Sequence, residues 1–116
     1  MKNNSFQNDL VFTDDKVKIS VIIETSFSKE IRIAFKKGQV MKEHKTAFPI
    51  VVHLLDGAIE FGVHGEKYQL KKGDILTLEG NVPHDLLAIE QSVVRLSLSK
   101  LDTSERVQKV AQDSKS

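Results

Sequence analysis

Apolar residues recur along this chain in short runs with a period of two, broken by glycine, asparagine, aspartate and lysine. Residues 17–24 (VKISVIIE) and 30–35 (EIRIAF) are rich in β-branched side chains. In the second run Ile31, Ile33 and Phe35 alternate with polar or small neighbours, the period of a half-buried strand. Residues 26–29 form a polar connector between them, and Lys36-Lys37-Gly38 reads as a turn. An apolar run at 50–55 ends in Asp56-Gly57, a hairpin signal because a tight turn of that kind needs a positive φ. Ile59, Phe61 and Val63 alternate after it, Gly65 marks the next turn, and Tyr68 and Leu70 lie on the returning strand. Residues 71–74 (KKGD) turn again into Ile75, Leu76 and Leu78. A loop with Gly80 and Asn81 follows, and Val94, Leu96 and Leu98 mark a last strand.

Many short strands with regularly spaced turns, and no helical period within the body, predict an all-β sandwich or barrel. The length of 116 residues suits a single domain. Residues 1–8 are polar and are expected to be disordered, residues 9–100 to form the barrel, and residues 101–116 to form a polar tail. In that tail Val107, Val110 and Ala111 share one face of a short helix with Ser104 as its cap. Seventeen basic and sixteen acidic residues give a net charge of +1, too little to attract nucleic acid or anionic lipid. The chain has no cysteine, so any metal must bind through nitrogen and oxygen. The polar N-terminus lacks the apolar stretch of a signal peptide, and no apolar run nears the ~20 residues that span a bilayer. A soluble, cytoplasmic protein without a membrane partner is the expectation.

Two segments carry the candidate chemistry. GQVMKEHKTAFPIVVHLLDG (38–57) and GDILTLEGNVPHDLLA (73–88) each place a histidine, His44 or His84, beside a strand edge. A sheet closed on itself would aim both imidazoles into one cavity, and neutral imidazole is the commonest protein ligand for zinc, iron and nickel. The glycine and histidine spacing of Gly38, His44 and Gly57, and that of Gly73 and His84 with Pro83 beside it, resembles the two signature motifs of the cupin superfamily. The resemblance covers about half the chain. It implies a cupin-like jelly-roll β-barrel, a homodimer, and a metal centre of three histidines and one carboxylate. Thr46 stands in the place of the second histidine, Ile50 in that of the glutamate and Ala88 in that of a usual asparagine. Of the family's ligand set only His44 and His84 remain.

His53 interrupts the apolar run at 50–55. A buried ring there needs a hydrogen-bond partner or a metal. Strict alternation from Ile50 puts it on the face away from the cavity, whereas a bulge after Pro49 would make it a third ligand. Thr46 offers a hydroxyl to a ligand or a water. Val52, Leu54, Phe61 and Leu78 are the expected apolar lining. His64, at a hairpin tip, is expected to be exposed and inert, and Asp85 to point away from His84.

Three functions follow. The first is a small cupin that binds a small molecule, or a weakly held divalent metal (zinc, iron, manganese or nickel), in its barrel. The second is a metal-dependent enzyme of dioxygenase or isomerase type that uses His44, His84 and His53. The third is a non-catalytic sensor or interaction module. No nucleophile–base pair, phosphate loop or nucleotide fingerprint points to hydrolysis or group transfer.

Overall fold

The computed structural model describes residues 1–100, so the tail helix expected within 101–116 lies outside the described residues. Among the described residues the chain forms strands and no helix. In order they are β1 (Lys18–Glu24), β2 (Ser28–Phe35), β3 (Val40–His44), β4 (Ile50–Asp56), β5 (Ala58–Val63), β6 (Glu66–Lys71), β7 (Ile75–Leu78), β8 (His84–Ala88) and β9 (Ser92–Ser99). They build two antiparallel sheets, ordered β1-β2-β9-β4-β7 and β3-β8-β5-β6. Strands distant in sequence are neighbours in both sheets, which is the jelly-roll arrangement the motifs implied.

Alternation decides what lies between the sheets. Ile31, Ile33 and Phe35 of β2, Val52 and Leu54 of β4, Ile59 and Phe61 of β5, Leu86 and Ala88 of β8, and Val94 of β9 form one buried cluster. Leu70, Leu76, Leu78, Leu96 and Leu98 pack against it from partly buried positions. Each fully buried side chain of this size stabilises the fold by about 1.5–3 kcal/mol relative to exposure. The Asp56-Gly57 turn joins the two sheets. Gly57 has φ +94°, and a Cβ there would collide with the Ser92 hydroxyl and the Gln91 carbonyl. Ser92, fully buried, uses its hydroxyl to accept from the Ala58 amide at 3.0 Å and to donate to the Glu90 carbonyl at 2.8 Å.

The five-stranded sheet outreaches its partner at β1. Ile19 and Val21 pair with Ile33 and Ile31, so they share the core-facing side, yet each is 52% exposed. The opposite side of this sheet is covered by the chain before β1. Arg32, only 2% exposed, donates hydrogen bonds to the carbonyls of Phe6 (2.8 Å), Asn8 (2.7 Å) and Asp9 (3.2 Å). Lys2 and Asn4 donate to the carbonyls of Glu24 and Ile22. The polar stretch 1–8 runs along this face. Its backbone carbonyls and the Lys2 and Asn4 side chains supply these contacts.

Candidate functional site

β3 and β8 bring the two motif histidines together. Met41 lies opposite Leu86 and His44 opposite His84, with a register shift between them. β3 spends three steps where β8 spends two, a β-bulge. Met41 packs against the core, and the extra residue lets His44 follow it onto the same side, with Lys42 and Glu43 left in solvent. On β8 the inward positions are His84, Leu86 and Ala88. The two imidazole centroids lie 4.4 Å apart with the rings tilted by 58°. The Phe61 ring lies nearly parallel to that of His84, at 16°, with centroids 5.7 Å apart. His84 is 3% exposed, while His44 is only partly buried.

Both rings are held by the same device. Nδ1 of His44 lies 2.8 Å from the Lys42 carbonyl, and Nδ1 of His84 lies 2.9 Å from the Val82 carbonyl. A carbonyl only accepts, so Nδ1 carries the proton in each ring and Nε2 of the neutral ring keeps its lone pair. Burial pushes the His84 pKa below its ordinary value of 6.5, and the neighbouring His44 pushes it the same way. The Val82 carbonyl and Asp85 oppose this without reversing it. His84 is therefore neutral at pH 7, with its Nε2 an acceptor.

The remaining predicted residues divide into three groups. Phe61 stacks on His84. Val52 and Leu54, at 2% and 0% exposure, are packed inside the core cluster, and Leu78 packs against that cluster from a partly buried position. The Thr46 hydroxyl donates to the Phe48 carbonyl at 2.9 Å, and the Thr46 carbonyl accepts from the Asn81 amide at 2.6 Å. Thr46 thus stitches the loop after β3 to the loop before β8. Gly80 allows that approach, since a Cβ there would strike the Ala47 carbonyl.

His53 does not join the pair. β4 runs from Ile50 to His53 without a register shift against either neighbour, so alternation holds and His53 faces away from Val52 and Leu54. It lies between Ile75 and Arg95, and its Nδ1 is buried with no hydrogen-bond partner. His64 is exposed at the β5–β6 hairpin tip with φ +53°. Asp85 sits on the outer side of β8, 3.4 Å from Lys67.

The donor set falls short of the divalent centre that the motifs imply. Among the described residues no group of three or more His, Asp or Glu side chains is placed to hold a metal ion. Ile50, in the carboxylate's place, is a core residue at 3% exposure. Two imidazoles do not complete the three or four protein ligands of a zinc site, nor the two-histidine, one-carboxylate triad of non-haem iron. The residues present do not fit a full divalent-metal centre. Sequence reasoning missed the carbonyls of Lys42 and Val82 and the stacking of Phe61. Backbone carbonyls leave no sequence signal, and the Phe61 contact depends on the β5–β8 register.

A family model described as a cupin domain matches residues 31–100. Residues 31–100 contain both histidine segments, every strand from β3 to β9 and most of β2, and the chain belongs to the cupin family. No curated protein matches. Solved structures agree in fold. An RmlC-like cupin protein from Desulfovibrio desulfuricans superposes with TM-score 0.78 at 22% identity, over 85% of this chain and 96% of that one. A protein from Thermus thermophilus, TT1209, gives 0.77 at 16% identity, over 85% and 97%. KdgF from a Halomonas species gives 0.75 at 19% identity, over 90% and 98%.

Proposed function

We propose that this cupin binds a small, mostly apolar molecule bearing a hydroxyl or N–H group, which donates to Nε2 of His44 and His84. The reading rests on one observation: both rings have Nδ1 committed to a backbone carbonyl. Nε2 is then the uncommitted nitrogen of each of two rings whose centroids lie 4.4 Å apart, with Phe61 stacked on His84. A donor-bearing ligand satisfies both, and partly exposed His44 is the side from which it enters. The test is a fragment screen by NMR on chelator-treated protein. Alcohols and amides are expected to shift the His44 and His84 ring resonances, and His44→Ala and His84→Ala to abolish those shifts in folded protein. Fragments that bind both variants unchanged would overturn the reading.

The same tautomers favour a second reading, in which zinc, iron, manganese or nickel is held weakly between the two Nε2 atoms and completed by water. Elemental analysis after metal-supplemented expression separates the two. Stoichiometric metal lost on His84→Ala supports the second. We further propose a homodimer to which the N-terminal strands contribute, because Ile19 and Val21 form an uncovered apolar strip on an edge strand. A monomer at micromolar concentration in analytical ultracentrifugation would refute the dimer.

A further inference from the structure

The outer side of the five-stranded sheet carries a cavity of about 520 Å³ beneath the chain before β1. Its size is that of a small-molecule pocket. Four apolar side chains line it, Phe6 and Leu10 from the covering chain and Leu55 and Val93 from the sheet. The cover is pinned on both sides of Leu10. Arg32 holds the carbonyls of Phe6, Asn8 and Asp9, and the Gln39 side-chain amide donates to the Thr13 carbonyl at 2.7 Å. These pins hold the chain off Leu55 and Val93 and keep the space open. Water is a poor occupant between apolar walls, which offer it no hydrogen bonds.

Two charged side chains line the same cavity, Asp56 from the end of β4 and Lys72 from the turn before β7. Both are exposed, so they stand at its mouth. Among the described residues neither makes an ion pair, and they lie too far apart to pair with each other. A free acid and a free base at the mouth of an apolar cavity complement a molecule with both charges at one end and hydrocarbon at the other. We propose that this cavity is a second site, separate from the histidine pair, which takes a free α-amino acid with an aliphatic side chain. The ammonium faces Asp56, the carboxylate faces Lys72, and the side chain lies among Phe6, Leu10, Leu55 and Val93. A plain anion or a plain cation meets one favourable charge and one opposing charge, and is held less well than the zwitterion.

The test titrates leucine into the full-length, isotope-labelled protein and follows amide shifts. Leucine is expected to give saturable shifts at Phe6, Leu10, Leu55 and Val93. Glycine lacks the hydrocarbon and is expected to bind about tenfold more weakly or worse. Isocaproate lacks the ammonium and isopentylamine the carboxylate, and each is expected to bind about threefold more weakly than leucine. Asp56→Asn is expected to weaken leucine about threefold without weakening isocaproate, and Lys72→Gln to weaken leucine about threefold without weakening isopentylamine. Leu55→Trp fills the cavity from a partly exposed position and is expected to weaken leucine by about tenfold or more. If that variant does not fold, the two charge variants, both at exposed positions, decide. Any of these results would overturn the proposal: no saturable shift with leucine, an analogue that binds as tightly as leucine, unchanged leucine affinity in either charge variant or in folded Leu55→Trp, or shifts confined to His44 and His84.

Discussion

His84 and Arg32 are equally hidden, at 3% and 2% exposure, and meet the cost of burial in opposite ways. His84 faces inward from the four-stranded sheet and sheds its charge. Desolvation and the neighbouring His44 keep it neutral, and Phe61 covers its face. Arg32 faces outward from the five-stranded sheet and cannot shed its charge, so it gathers three backbone carbonyls instead. The difference follows from intrinsic basicity. A group that titrates near neutrality can be buried among apolar side chains, whereas a guanidinium must bring its polar surroundings with it. The inner side therefore keeps neutral rings, while the outer side keeps its positive charge enclosed by backbone carbonyls.

The contrast can be broken at several points. Phe61→Ala removes a fully buried ring and the stack on His84, and is expected to cost about 3–5 kcal/mol in urea unfolding. Arg32→Met is expected to cost about 2–3 kcal/mol, because it releases three carbonyls and the strap they anchor. Proteolysis should then begin within residues 1–16. A cost for Arg32→Met as large as that for Phe61→Ala would mean that the strap is part of the cooperative core.

Acidification sharpens the same comparison. The folded pKa of His84 is depressed, so the unfolded chain takes up its proton first. The stability tied to this residue is complete above 6.5, the unfolded value, and is lost as pH falls through the lower folded value. Urea midpoints measured from pH 8 to pH 5 should decline in the wild type and decline less in His84→Phe. Glu30 enters only at lower pH. Burial raises its pKa, but hydrogen bonds from Ser28, Ser97 and Arg95 outweigh that and hold it below 4.5. The smallest effect belongs to His64→Gly, which relieves a left-handed backbone at an exposed tip. It should move stability by less than about 1 kcal/mol and leave binding at His44 and His84 unchanged.

The strands with plain alternation were legible. Ile31, Ile33 and Phe35, like Val94, Leu96 and Leu98, show in the chain the faces they take in the fold. The turn at Asp56-Gly57 and the motif glycines were legible because positive φ narrows the choice of residue, but the hairpin expected there is not formed, since β4 and β5 lie in different sheets. β3 was not legible from its hydrophobic pattern. Val40, Lys42 and Glu43 are exposed, the strand is an edge, and its bulge breaks the period; only the motif resemblance located His44. For His53 both faces were left open, because a bulge after Pro49 cannot be read from residue types. The missing register shift decides it. Arg32 gave no signal of burial, since what covers it comes from 23 to 26 residues earlier in the chain.

The bulge in β3 bears on what a one-codon deletion would do. Losing Lys42 or Glu43 would make the steps on the two strands equal, and plain pleating would still set the imidazole opposite its mate. The ring would lose the carbonyl two residues back that now fixes its proton. Such a gene would encode a protein with both rings in place, one of them free to exchange tautomers and so to read a different partner.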